Sequence, residues 1–478
     1  MAASQNSQKE KTVYVCTECG CVHEKWGGKC RECGAWNTLE EEVRAPVSKS
    51  LSSVSLKNGK KSISLSIIDR LAASESRIST GISEFDRSLG GGLVSSGVVL
   101  LSGEPGIGKS TLLLQIAGKC FDRKILYVSG EESLSQIRLR ADRLGIENDK
   151  LFIFCETELD VIISEIRELK PDILIVDSIQ TMADAGLSSS AGSITQVRQA
   201  ASAFISEAKS SDIATVLVGH INKDGAIAGP KLLEHMVDAV LSFEGDRSKA
   251  YRIVRAVKNR FGSTNEIGMF EMTRSGLSEV SDPSRRLIED SPRNVSGSCS
   301  VCVMEGTRPI IAEVQALVTK SPFPAPRRLA NGIDYNRMSL LIAILEKRLG
   351  LKFFDRDVYI NVTGGMRLDE TATDLGIAAA MISSLRNIRF ADNLIAIGEL
   401  GLAGEVRMVS SIEARINEAV RMGFDRIILP FRGLQSLEAV SGKEKLVGVK
   451  SIYELVSVIT QSGVVENPAG NSDMDKQE

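Results

Sequence analysis

Residues 98–120 read VVLLSGEPGIGKSTLLLQIAGKC. The opening VVLLS is a short apolar run of the kind a buried parallel strand shows. The closing TLLLQIAGKC (111–120) reads as a helix. Between them, Gly103-Glu104-Pro105-Gly106-Ile107-Gly108-Lys109-Ser110-Thr111 matches G-x-x-x-x-G-K-[ST] in spacing. In a strand–loop–helix context that spacing is a phosphate loop. Its glycines let backbone N–H groups curl around phosphates, and the helix N-terminus adds partial positive charge. Lys109 supplies a point charge for the β/γ-phosphates and Ser110 a hydroxyl for Mg²⁺. The expected ligands are ATP and Mg²⁺, held by residues 103–111.

Working outward, KILYVSG (124–130), DILIVD (172–177) and ATVLVG (214–219) repeat the buried-strand pattern. Helical stretches such as ITQVRQAASAFISEAK (194–209) lie between them. The alternation predicts an α/β fold, a parallel sheet covered by helices. Asp177 ends one strand, where a carboxylate can hold Mg²⁺ through water; a helix N-cap before Ser178 is the other reading. Glu131 and Glu132 follow KILYVSG. A carboxylate there can polarise an attacking water, or the pair can simply favour a helix N-terminus.

Five of the nine cysteines crowd into residues 16–33. Cys16-x-x-Cys19 and Cys30-x-x-Cys33 form two knuckles, which together supply a closed tetrahedral Zn²⁺ site. All-thiolate ligation points to a structural role, and so small a segment needs metal to fold. Cys21 reads as a bystander, with His23 a substitute ligand of lower rank. Cys299-x-x-Cys302 has no second knuckle, and reduced thiols are preferred there over redox chemistry.

The chain has 478 residues, 43% apolar and 25% charged, with net charge -3. That composition suits a soluble globular protein and excludes a globally basic nucleic-acid binder, though not a local basic stripe. No apolar run reaches membrane-spanning length, and the N-terminus lacks a secretory h-region. The expected organisation is a flexible lead (1–12), a four-cysteine zinc finger (13–40), a Ser/Lys-rich linker (41–75), an ATPase domain (76–275), a second linker (276–299), a further α/β block (300–463) and a disordered tail (464–478).

The zinc knuckles, RISTGISEFDRSLGGGL (77–93), GEPGIGKST (103–111), YVSGEES (127–133) and VKNRFGSTNEIGMFEM (257–272) together resemble the bacterial RadA/Sms family. The resemblance is collinear over nearly the whole chain, and Lys258-Asn-Arg260-Phe-Gly262 is its most specific element. It implies a RecA-type P-loop ATPase core. It places Glu131, rather than Glu132, at the water-activating position. It puts His220 at the polar sensor after the fourth core strand, followed by a DNA-facing loop, 222–230, with Lys223. Lys258 and Arg260 alternate along a strand end and point to one side. By resemblance they reach a neighbouring subunit's ATP as a finger in trans, which requires a ring, a homo-hexamer above all. The implied activity is DNA-dependent ATP hydrolysis driving branch migration or unwinding of recombination intermediates on single-stranded or branched DNA. The implied partner is a RecA-type recombinase. The implied location is the bacterial cytoplasm, or an organelle after loss of a transit peptide.

Residues 300–463 resemble the proteolytic domain of Lon, most clearly in IGELGLAGEVRMVSSIEARINEAVRMGFDRIILP (397–430). Lon chemistry needs a Ser nucleophile and a Lys base. Aligned here, the Ser position falls near Ala372 or Thr373 and the Lys position on Glu413. No dyad survives, so this domain reads as a non-catalytic platform for assembly or DNA. Arg327, Arg328 and Arg337 form a local basic cluster, either tracking a phosphate backbone or solvated. Two other functions stay open: a zinc-stapled scaffold switched by ATP, and an ATP-dependent protease, against which the missing dyad argues.

Overall fold

The structure is a computed structural model. It describes residues 11–16, 21–32, 34–44, 77–220, 231–245, 251–289, 295–390, 393–435, 437, 442–462 and 464–465. Most of the expected flexible lead and of the first linker and nearly all of the tail lie outside these residues, as does Lys223; the last two residues of the lead, Lys11 and Thr12, belong instead to the first strand. Two compact units divide the chain: Met1–Arg247 with Arg252–Glu279, and Val280–Glu478 with Ser248–Tyr251. Among the described residues no helix is long and apolar enough to cross a membrane.

The first unit begins with a small antiparallel sheet of β1 (Lys11–Cys16), β2 (Val22–His23) and β3 (Leu39–Arg44), in order β2-β1-β3. Its core is Cys16, Cys30 and Leu39, with Tyr14 and Cys21 packed against them. Apolar burial on that scale does not stabilise a fold by itself, which is the physical reason to expect a metal staple.

A short clip of β4 (Arg77–Ile78) on β5 (Leu93–Val94) leads into the main sheet. Its strands are β6 (Val98–Gly103), β7 (Ile125–Ser129), β8 (Leu151–Cys155), β9 (Ile173–Asp177), β10 (Ala214–His220), β11 (Ala239–Glu244), β12 (Tyr251–Asn259), β13 (Ile267–Thr273) and β14 (Gly276–Glu279). They run in the order β14-β13-β12-β11-β6-β10-β9-β7-β8. From β8 to β11 the pairing is parallel; β12 returns antiparallel on β11.

Period-two alternation splits each central strand between two cores. Val98 and Leu100 of β6 join one cluster, Val99 and Leu101 the other. Helix Lys109–Lys119 covers one face through Leu112, Leu113 and Ile116, and helix Ile194–Ser211 covers the opposite face through Val197, Ala200 and Phe204. Each fully buried aliphatic side chain contributes about 1.5–3 kcal/mol relative to exposure. Continuous apolar runs are therefore what a sheet covered on both faces requires.

The second unit holds β15 (Ser298–Glu305), β16 (Arg308–Lys320), β17 (Arg328–Asn331), β18 (Arg356–Val362), β19 (Ile388–Arg389), β20 (Leu394–Ala396), β21 (Glu399–Leu400), β22 (Val406–Arg407), β23 (Arg426–Pro430) and β24 (Leu446–Val449). Seven of them make a sheet ordered β17-β18-β16-β15-β20-β23-β24. Helix Asp374–Arg386 packs on β15 and β16.

The stretch 276–299, expected to be a linker, carries regular structure. Gly276–Glu279 pairs with β13, and Pro283–Ile288 is a helix. Asp282 accepts from the Arg285 N–H as its N-cap, with Pro283 in the first turn. Asp followed by Pro is a helix-start signal that the polar composition concealed.

Arg415 is 0% exposed. Its guanidinium forks onto Glu370 at 2.6 and 2.7 Å and donates to the carbonyls of Cys302 (2.5 Å) and Ser410 (2.9 Å). Removing one partner of such a pair strands the other. Arg415→Met, close in length, is therefore expected to cost about 3–5 kcal/mol. Urea denaturation of the full chain measures it, and a loss below about 1 kcal/mol, the scale of an exposed pair, contradicts the account.

Candidate active site

The phosphate-loop sequence lies where β6 ends, between β10 and β11. Gly106 (φ 78°) and Gly108 (φ 121°) take backbone conformations that side chains disfavour, and the loop curls through them into helix Lys109–Lys119. Ile107 is buried beneath the loop, whereas Glu104, Pro105 and Gly106 are exposed. Ser110 and Thr111 open the helix, both half-buried. Such a loop leaves backbone N–H groups and one ammonium for a polyphosphate, so these residues fit ATP.

Lys109 is buried, and its Nζ donates to the Gly103 carbonyl at 2.7 Å and the Glu104 carbonyl at 3.0 Å. Burial lowers its pKa to about 8, while the charges of Asp177, Glu131 and Glu104 pull the other way. Nζ also lies 3.3 Å from His220 Nδ1 at the end of β10. An ammonium can only donate, so Nδ1 accepts and the ring's proton sits on Nε2. Nε2 faces Glu131 Oε1 at 3.2 Å. Lys109, His220 and Glu131 thus form one chain.

Glu131 and Glu132 part ways here. Glu131 Oε1 also accepts from Ser178 Oγ at 2.6 Å, beside Asp177. Glu132 is ion-paired with Arg140, and its N–H donates to Ser129 Oγ. Only Glu131 is wired to the phosphate-loop lysine. Asp177, at the end of β9, accepts from the Tyr127 hydroxyl at 2.6 Å. Tyr127 is buried on β7, and burial together with the Asp177 charge raises its pKa well above normal. Sequence reasoning passed over Tyr127 and Ser178. The signals were the one aromatic residue in a buried strand, ILYVS, and a serine directly after the strand-ending aspartate.

Lys258 lies near the end of β12, and Arg260 follows its last residue, Asn259. Lys258 Nζ donates to the carbonyls of Glu234 (2.7 Å), Val237 (2.8 Å) and His235 (3.5 Å), capping the end of helix Lys231–Met236. Burial, and then Arg260, lowers its pKa. Arg260 pairs with Asp238 Oδ1 at 3.0 Å. Both side chains therefore meet the segment 234–238. A bulge between Val240 and Leu241 drops Val257 from the register.

Of the four expected zinc ligands, Cys16 and Cys30 are buried in the small core, and Cys19 and Cys33 lie outside the described residues. Gly34 N–H returns to the Cys30 carbonyl at 3.1 Å, a tight turn behind the knuckle. His23 Nε2 stands 3.4 Å from Cys30 Sγ. Two buried sulfur donors, Cys16 at the end of β1 and Cys30 opening a turn, suit Zn²⁺.

In the second unit the arginines 327, 328 and 337 do not act as one free patch. Arg337 forks onto buried Asp374. Arg328 donates to the carbonyls of Phe353 and Arg356. The Arg327 guanidinium lies over the Phe323 ring, 4.7 Å from its centroid. Thr373 is buried, its hydroxyl donating to the Glu370 carbonyl at 3.0 Å, whereas Glu413 is exposed. Cys299 and Cys302 are buried, and burial pushes both thiols up to about 12, which suits inert thiols.

Three family models match the chain: one described as an AAA domain over residues 68–226, one as a rubredoxin metal binding domain over 14–41, and one as subunit ChlI of Mg-chelatase over 337–433. Together they agree with a P-loop ATPase core, an N-terminal zinc ribbon and a C-terminal Lon-like α/β domain. The chain is similar to the DNA repair protein RadA of Halalkalibacterium halodurans, 48% identical over 452 residues, 94% of this chain and 99% of that one. It is 47% identical to that of Bacillus subtilis over 451 residues (93% and 98%) and 46% to that of Listeria monocytogenes over 448 (93% and 97%).

Tyr127 donates the one hydrogen bond described for the buried carboxylate of Asp177. Tyr127→Phe keeps the packing and deletes that bond. The expected loss is about 1.5–3 kcal/mol, the range for a hydrogen bond to a charged group. Urea denaturation checks it, and an unchanged midpoint would mean that water replaces the hydroxyl.

Proposed function

Nearly half identical over almost its whole length to DNA repair proteins named RadA, the chain belongs to their family, and on that premise we propose that it is a DNA-dependent ATPase of recombinational repair. It acts on single-stranded or branched DNA and drives branch migration or unwinding of recombination intermediates. The observation that carries the reading is the chain Lys109–His220–Glu131, with Ser178 on the same carboxylate and Asp177 at the next strand end.

In this reading Lys109 leaves the carbonyls of Gly103 and Glu104 for the β/γ-phosphates, and residues 103–111 orient the nucleotide. Ser110 and Asp177 hold Mg²⁺, which neutralises phosphate charge when bound. Glu131 orients water and takes its proton. His220 touches both Lys109 and Glu131, so it can report a change at the phosphates to the strand end that precedes 222–230. Lys258 and Arg260 act on the nucleotide of the adjacent subunit in a ring, most simply a hexamer. A recombinase of RecA type is the proposed partner, and bacterial cytoplasm the proposed location. Cys16, Cys19, Cys30 and Cys33 hold a structural Zn²⁺. The Lon-like unit serves assembly or DNA contact without proteolysis. The buried Thr373 hydroxyl, the exposed Glu413 and the arginine forks around residues 370–374 support that role.

The test is ATP hydrolysis by the full chain with and without single-stranded DNA. Stimulation by DNA and reduction to background in Lys109→Ala are expected; a rate indifferent to DNA counts against the motor. Glu131→Gln should lower the rate about 10²–10⁴-fold while ATP still binds. The same change at Glu132 should leave it nearly intact, and equal losses at both would remove the assignment. Lys258→Ala should abolish DNA-stimulated hydrolysis, about 10³-fold or more if the side chain acts as a finger in trans. A mixture with the Lys109→Ala variant recovers activity only if the two sites are shared between subunits.

A further inference from the structure

Asp238, buried directly before β11, engages every polar atom it has. Its N–H donates to the Val98 carbonyl at 2.9 Å, and its Oδ2 accepts from the Val98 N–H at 3.2 Å. Its carbonyl accepts from the Arg260 N–H at 3.0 Å, and its Oδ1 from Arg260 Nη1 at 3.0 Å. Lys209 Nζ stands 3.9 Å from the same Oδ1. Arg260 is thereby tied twice to a residue that is itself tied twice to the start of β6. The residues on either side of Arg260 are pinned as well. Asn259 Nδ2 donates to the Leu89 carbonyl at 3.1 Å, and its Oδ1 accepts from the Phe261 N–H at 2.9 Å. The Phe261 carbonyl accepts from Arg77 at 2.5 Å. The Phe261 ring lies against Gly97, where an added Cβ would stand 3.0 Å from it. Yet the Arg260 side chain is 55% exposed, and Asp238 is its one side-chain partner among the described residues. Lys258 differs: its three ammonium protons face three backbone carbonyls, which it must release before it meets a phosphate. Arg260 keeps Nε and Nη2 to present. An exposed ion pair adds little to stability, so what this one fixes is the direction of a guanidinium.

We propose that Asp238 is the positioning residue of the finger in trans: it holds Arg260 so that the open edge of the guanidinium meets the γ-phosphate oxygens of the adjacent subunit's ATP. Resting on the shared-site ring proposed above, this adds the group that aims the finger. The phosphate loop begins at the other end of β6, about 16 Å away over residues 98 to 103 at about 3.3 Å per residue. A nucleotide that meets Arg260 therefore belongs to another subunit. A finger stabilises charge on the transferring phosphoryl group only from the right place, and a misplacement of about 1 Å costs about 10²-fold in rate. Because Asp238 is bonded to Val98, finger and phosphate loop are fixed to the two ends of one buried strand. Each subunit aims at its neighbour's ATP from the strand that holds its own.

The experiment compares DNA-stimulated hydrolysis by full-length Asp238→Asn, Arg260→Ala and the double variant, with nucleotide affinity read by a fluorescent ATP analogue. Asp238→Asn should lower kcat about 10- to 100-fold and leave the affinity unchanged. In the Arg260→Ala background it should cost nothing further, since a group acting only through the guanidinium has nothing left to aim. Asp238→Asn mixed with Lys109→Ala should regain hydrolysis, because the first supplies intact phosphate loops and the second intact fingers. An additive loss in the double variant, or a mixture that stays inactive, makes Asp238 a structural residue of its own subunit and overturns the proposal. Arg260→Ala mixed with Lys109→Ala separates the causes. Recovery there, with none for Asp238→Asn, removes the aiming role alone; no recovery in either removes the shared site as well. Should Asp238→Asn fail to fold, Asp238→Glu carries the same comparisons, since it keeps the charge and displaces it by one methylene.

Discussion

Everything at the candidate active site depends on the parallel pairing of β6 between β10 and β11. All six residues of β6 are buried, with a helix-covered core on either side. The strand cannot slip by one residue without exchanging its two apolar sets between faces. Its end is therefore held, and with it the position of Lys109. The neighbours β10, β9 and β7 run the same way, so His220, Asp177 and Glu131 arrive at one edge of the sheet. In an open parallel sheet that edge is where ligands bind.

Burying an ammonium there has a cost, visible in the lowered Lys109 pKa. It is offset by two backbone carbonyls and by the negative field of Asp177 and Glu131. Tyr127 and Ser178 in turn tie down those carboxylates. The result is a site whose polar groups hold one another in place, which is how preorganisation for a polyphosphate is built from side chains that would otherwise wander.

The second unit uses charge differently. Around residues 370–374, where the Lon-like pattern leads one to look for a nucleophile, two arginines fork onto two carboxylates: Arg415 onto Glu370 and Arg337 onto Asp374. These pairs turn the region inward. Arg337 is thereby spent on the fold, and a basic cluster that looks contiguous in sequence is dispersed in space.

How much was legible follows from the range of each interaction. The phosphate loop, the buried strands, the α/β class and the cysteine knuckles rest on local spacing and on apolar periodicity, which the chain carries in its own order. The linker expected at 276–299 was misjudged because β14 is stabilised by pairing with β13, which composition does not express. The choice of Glu131 over Glu132 came from resemblance; the physical difference between them, Arg140 on one and His220 with Ser178 on the other, arises from residues up to 89 positions away. Tyr127 meets Asp177 only because β7 and β9 are neighbours. The sequence by itself thus determined which chemical groups exist and which strands are buried. Only the tertiary structure decided which groups face one another, because hydrogen bonds and ion pairs act over a few ångströms and depend on how the strands are ordered in the sheet.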